Sequence, residues 1–127
     1  MMKELSEAFA AHVIALTNRP CGVVDIPNDA EKPYFVLYPI ASGGPEGSMA
    51  DENDMRNFLF QLTSVGEGWE QCSYWADRIA SSPAALRSAL SGAKAIFVGI
   101  DQYGSVTRED AVTYNRADTY SLKVSTR

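Results

Sequence analysis

The chemistry-bearing side chains of this 127-residue chain are few: one histidine, His12, and two cysteines, Cys21 and Cys72. Any Ser/His/Asp or Cys/His centre would have to use His12. His12 falls on the apolar stripe of one amphipathic segment and Cys72 on that of another, which is where packing residues lie. Zinc needs four ligands of Cys, His or carboxylate type, and the sequence has no CxxC or HxxxH spacing. Gly66 and Gly68 lie where a phosphate-cradling turn would, after a strand pattern and before a helix pattern. The third position of that fingerprint is Gln71, and SSPAALRSALS occupies the place of the acidic residue expected further on. Asp51, Glu52 and Asp54 lack the alternating oxygen ligands and following glycine of a calcium loop, so they read as a solvated acidic patch. The expectation is a protein without catalytic residues, metal or cofactor.

The elements around these residues follow from periodicity. In MRNFLFQLTSVGEGWEQCSYWADRIA, residues 55 to 80, Phe58, Phe60 and Leu62 alternate with Asn57, Gln61 and Thr63, the period of a strand with one apolar face. From Gly66 onward Trp69, Cys72, Ala76, Ile79 and Ala80 recur at helical spacing opposite Glu70, Tyr74, Asp77, Arg78 and Ser81. A helix from about Glu67 to Ser81 is therefore expected to pack through Trp69, Cys72, Ala76 and Ile79 onto the Phe58, Phe60, Leu62 face.

Upstream, Leu5, Ala8, Phe9, His12, Val13 and Leu16 place a first helix over residues 2 to 17, ended near Asn18 and Pro20. CGVVDI is a short strand or an extended lead-in, and PNDAEKP is a polar turn. PYFVLYPI is apolar on both faces, which predicts an interior strand stopped by Pro39. Residues 41 to 54, ASGGPEGSMADEND, are too polar to order themselves by burial; they form either a functional loop or a solvated hairpin excursion. Ser82 and Pro83 start a further helix carrying Leu86 and Leu90 and closed by Gly92. KAIFVGID is another strand apolar on both faces, and the chain turns near Gly104. In TYSLKVSTR, Tyr120, Leu122 and Val124 alternate with Ser121, Lys123 and Ser125, so one face is open to water or a partner. The reading is a single α+β domain over residues 1 to 127, a mainly antiparallel sheet with two main helices on one face.

Composition narrows the class. Hydrophobic residues make up 46% of the chain, enough for one real core. No run approaches the roughly 18 apolar residues a membrane span needs. MMKELSEAF lacks the basic start and apolar stretch of a secretory signal, which predicts assembly in a cytoplasm. A net charge of −5 argues against a nucleic-acid surface.

Taken together, PYFVLYPI, the Gly/Pro/acid loop, FLFQLTSVG, WEQCSYWADRIASSPAALRSAL and TYSLKVSTR resemble the tail terminator proteins of long-tailed bacteriophages, particularly actinobacterial ones. The most specific part is QLTSVGEGWEQCSYWADRI with the preceding YFVLYP, and the likeness runs from about residue 20 to the end. The resemblance implies a small mixed α/β virion subunit that forms a ring, sixfold in the family, on the head-proximal end of the tail tube. Such a ring stops tube polymerisation and offers the surface that joins tail to head. Its partners would be further copies of itself, the tail tube protein and the head-tail connector or neck proteins. The alternatives are a head-closure or minor tail component of the neck, or a small cytosolic ligand-binding protein or enzyme with its site over the Gly66 turn.

Charge distribution offers a physical basis for such a ring. Between residues 25 and 54 stand Asp25, Asp29, Glu31, Glu46, Asp51, Glu52 and Asp54 against Lys32, a balance of −6. From Thr113 to Arg127, Arg116, Lys123 and Arg127 stand against Asp118, a balance of +2. A head-to-tail ring needs two different surfaces on one subunit, and opposite charges would set their orientation. Asp51, Glu52, Asp54, Arg116 and Lys123 are thus the candidate interface residues, unless these charges are simply scattered and solvated.

Overall fold

The structure, a computed structural model, describes residues 2 to 27, 31 to 43 and 55 to 125. In chain order its elements are α1 (Met2–Thr17), β1 (Cys21–Val23), β2 (Tyr34–Gly43), β3 (Met55–Gly66), α2 (Trp69–Ala80), α3 (Pro83–Ala89), β4 (Ala95–Gln102), β5 (Thr107–Asp110) and β6 (Thr113–Ser125). They form one mixed sheet in the order β1-β2-β3-β6-β4, with β5 also pairing β6. β1 runs parallel to β2, and the other pairs are antiparallel.

The inward face follows from strand parity. Phe58 lies opposite Leu122 and Phe60 opposite Tyr120, while Leu62 is shared between Leu37 and Asp118. Leu5, Phe9 and Val13 of α1, Ile79 of α2, and Leu86 and Leu90 of α3 close over these side chains in one core. The Phe9 ring meets Phe60 at 5.7 Å and Tyr120 edge-on at 5.2 Å. Each such fully buried apolar side chain contributes about 1.5–3 kcal/mol relative to exposure, so this row carries most of the fold's driving force. α1 ends where Asn18 turns left-handed, at φ 58°, with its N–H donating to Ile14 O at 2.7 Å.

Several expectations are corrected. Trp69 is not in the packing stripe. α2 starts at Trp69 rather than Glu67, so the indole projects from the first turn and is 61% exposed, while Cys72, Ala76, Ile79 and Ala80 are buried. Pro39 does not stop β2; a register shift between Pro39 and Ala41 absorbs it and the strand continues to Gly43. The segment read as a loop from 41 therefore begins later, and residues 44 to 54 lie outside the described residues. Ser82 precedes α3 without a side-chain capping bond, and closure falls to a 3-10 turn (Ser91–Ala93) followed by left-handed Lys94, not to Gly92. β4, apolar in sequence, lies at the sheet's edge. β5 has no sequence signal, because Thr107, Arg108, Glu109 and Asp110 are all exposed and show no alternation.

Candidate functional site

β6 runs through the middle of the sheet, and its inward row changes character along its length. Val124, Leu122 and Tyr120 are buried apolar packing; Asp118 and Arg116, the next two inward positions, are buried and charged. Burial of charge is costly unless each group is paired and hydrogen-bonded. Here it is. Arg116 Nε–H donates to Asp118 Oδ1 at 2.9 Å, and Arg116 Nη1 reaches Asp77 Oδ1 on α2 at 2.7 Å. Asp118 Oδ1 also accepts the Gly104 N–H at 2.8 Å. The Tyr103 ring lies over the guanidinium, 5.8 Å from centroid to Cζ. One buried arginine thus ties together β6, α2 and residues 103 to 106, which link β4 to β5.

The titration of these groups agrees with that geometry. Burial alone would lower the Arg116 pKa, but its hydrogen bonds to Asp77 and Asp118 outweigh burial and raise it. Burial, with the Asp118 charge nearby, pushes the Tyr120 hydroxyl up. Burial pushes the Cys72 thiol up to about 11, and that thiol donates to Ser64 O at 3.2 Å. It also pushes Cys21 up to about 12 and His12 down from 6.5. At neutral pH these thiols are protonated and the imidazole is neutral, the states of packing groups rather than of an activated nucleophile. Among the described residues no group of three His, Cys, Asp or Glu side chains could hold a metal ion.

Of the candidate interface residues, Arg116 is 8% exposed, and its charge is answered within the subunit by Asp118 and Asp77. Arg116 and Asp118 cancel within the +2 balance of the C-terminal segment, which therefore rests on Lys123 and Arg127. Lys123 is exposed on β6, opposite Asn57 of β3. Asp51, Glu52 and Asp54 lie outside the described residues, as does Arg127. The structure does not bring Arg116 and Lys123 together: with Leu122 inward, Arg116 shares the inner row and Lys123 faces the other side.

That other side is the face opposite the core. Asn57, Leu59, Gln61 and Thr63 of β3, Ala117, Thr119 and Ser121 of β6, and Val36 and Tyr38 of β2 line it. They are half-buried or buried and uncharged, with Lys123 at one end. Glu70, Asp77, Arg78 and Arg87 on the helical side are exposed. Over β2, β3 and β6 the two sides therefore differ in exposed charge as well as in architecture. The Arg116 cluster left no sequence signal beyond a buried-strand parity that places two charges in line with Tyr120 and Leu122.

No protein-family model matches the chain, and no curated protein matches it. Among solved structures, it is similar to a chain from the virion of a native gene transfer agent particle. The identity is 15%, the match covers 95% of this chain and 94% of that one, and the TM-score is 0.60. At that identity the likeness establishes a shared fold over nearly the whole of both chains.

Proposed function

We propose that this protein is a structural subunit of a phage-like virion, and within it the tail terminator. The observation that carries the reading is the end-to-end fold correspondence with a chain of the gene transfer agent virion. The correspondence extends over 95% of this chain and 94% of the other. The sequence resemblance described above supplies the finer assignment.

As a terminator the subunit forms a ring, six-membered in the family it resembles, on the head-proximal end of the tail tube. It halts tube growth and offers the face that joins the head. A closed ring is built from head-to-tail contacts between two unlike surfaces. The unlike sides of the sheet provide them, one covered by helices with exposed Glu70, Asp77, Arg78 and Arg87, the other an uncharged row on β2, β3 and β6 with Lys123 at one end. The acidic residues Asp51, Glu52 and Asp54, outside the described residues, then make contacts across the ring or to the tube, with Lys123 on the open face as a facing cation. Arg116 acts at a distance from that contact, by fixing the 103 to 106 link.

Negative-stain imaging of the purified protein, alone and mixed with tail tube subunits from the same genome, tests the reading. Rings on tube ends are the expected result. A protein that decorates neither tubes nor connectors contradicts it, and rings found only on isolated connectors would shift the assignment to a head-closure component.

A further inference from the structure

We infer that the β4–β5 edge of the sheet is built to refuse strand addition, and that the Asp118 carboxylate, through Gly104, is the latch that keeps it so. The inference rests on the fold and holds whether or not the protein is a tail terminator.

The two sides of β6 are paired very differently. On one side β3 and β6 run in unbroken register from Met55 opposite Ser125 to Gly66 opposite Tyr114. On the other, β4 and β5 lie end to end along β6, and register is lost repeatedly. It shifts between Ala95 and Phe97, between Ile100 and Gln102, and between Arg108 and Asp110. It shifts again in the link, where the edge advances from Gln102 to Thr107 while β6 moves only from Thr119 to Asn115. Each shift leaves an unpaired residue and bends the strand, which spoils the regular row of N–H and C=O groups that an incoming strand would need.

The link is the break that a specific side chain holds in place. An N–H bonded to a buried carboxylate is not available to a strand: the Gly104 N–H points at Asp118 Oδ1, 2.8 Å away. Glycine is required at that position, because a Cβ there would stand 1.9 Å from Ala117 O. The carboxylate is itself held by Arg116, and the Tyr103 ring covers the guanidinium from outside. Without the latch, residues 103 to 106 are free to relax toward the line of β4 and β5, giving a longer and flatter edge. β4 would make such an edge adhesive: Ile96, at its first register shift, is 47% exposed, and Ala95, Val98 and Ile100 pack on the core. Pairing between open sheet edges has no natural end and leads to fibres, so a broken edge protects the folded subunit.

The test compares Asp118→Ala, Asp118→Asn and Asp118→Ala with Ile96→Lys by light scattering over a range of concentrations, with near-UV circular dichroism to establish folding. Asn keeps an acceptor for the Gly104 N–H, so Asp118→Asn should retain the wild-type size. Asp118→Ala should shift to larger β-rich species that grow with concentration, and Ile96→Lys should reverse that shift, which simple loss of stability would not allow. Folded Asp118→Ala with the wild-type size distribution overturns the inference, as does growth that Ile96→Lys leaves unchanged. Hydrogen exchange on the wild type gives a measurement independent of any variant's folding. The Gly104 amide should be protected well beyond its neighbours Tyr103 and Ser105, and exchange at the rate of an open loop would overturn the latch.

Discussion

Asp118 holds the Arg116 guanidinium at 2.9 Å with both side chains buried, so two charges that a sequence count assigns to the surface belong to the interior. Removing one partner leaves the other buried and uncompensated, which costs about 3–5 kcal/mol. Arg116→Ala should therefore lower the free energy of unfolding in urea by that amount. Asp77 bonds the same guanidinium at 2.7 Å but its side chain is 66% exposed, so Asp77→Ala should cost no more than about 1 kcal/mol. Equal losses for the two variants would mean that burial does not govern the cluster.

Tyr120 is 1% exposed, and its hydroxyl has no hydrogen-bond partner among the described residues. An unsatisfied buried hydroxyl carries a desolvation penalty of about 1–3 kcal/mol, while the ring packs usefully against Phe9. Tyr120→Phe keeps the ring and removes the penalty. The expected result is an unchanged or higher denaturation midpoint, and a loss of stability would show that the hydroxyl is satisfied in solution.

The exposed indole of Trp69 gives a third prediction. Surface substitutions of this kind change stability by no more than about 0.5 kcal/mol, so Trp69→Ala should leave the midpoint nearly unchanged. Ile79→Ala, in the buried stripe of the same helix, should cost about 2–5 kcal/mol. Iodide should quench the Trp69 fluorescence far more than that of half-buried Trp75.

Titration of the buried groups sets the pH limits of stability. Cys72 and Cys21 have folded pKa values raised by burial from 9.0 to about 11 and about 12. The unfolded chain ionises first, so stability is full below pH 9.0 and falls as pH rises toward those folded values. Cys72→Ala should flatten the part of that fall just above pH 9.0. His12 is shifted the opposite way, down from 6.5 by burial, so its contribution is present above pH 6.5 and is lost on acidification. His12→Gln should flatten the acid limb, and equal slopes for wild type and variant would contradict the burial of the imidazole.

Strong periodicity made much of the fold legible. Phe58, Phe60 and Leu62, the α1 stripe with Leu5, Phe9 and Val13, and the alternation of Tyr120, Leu122 and Val124 all lie in the core as their spacing predicts. What escaped was set by tertiary partners. Trp69 has the right spacing for the α2 stripe but stands in the helix's first turn, outside the sheet's cover. Thr107 to Asp110 form a strand because β6 pairs with them, with no apolar pattern of their own. Arg116 and Asp118 look like surface charges until the strand parity and the α2 carboxylate are both known.

The role proposed for this subunit is to end a tube. Tail tube subunits polymerised with increasing amounts of the protein, their lengths measured by electron microscopy, test it most directly. Mean tube length is expected to fall as the protein is added, with each arrested tube carrying a ring at one end. Tubes of undiminished length, growing past saturating protein with no density at either end, would contradict it.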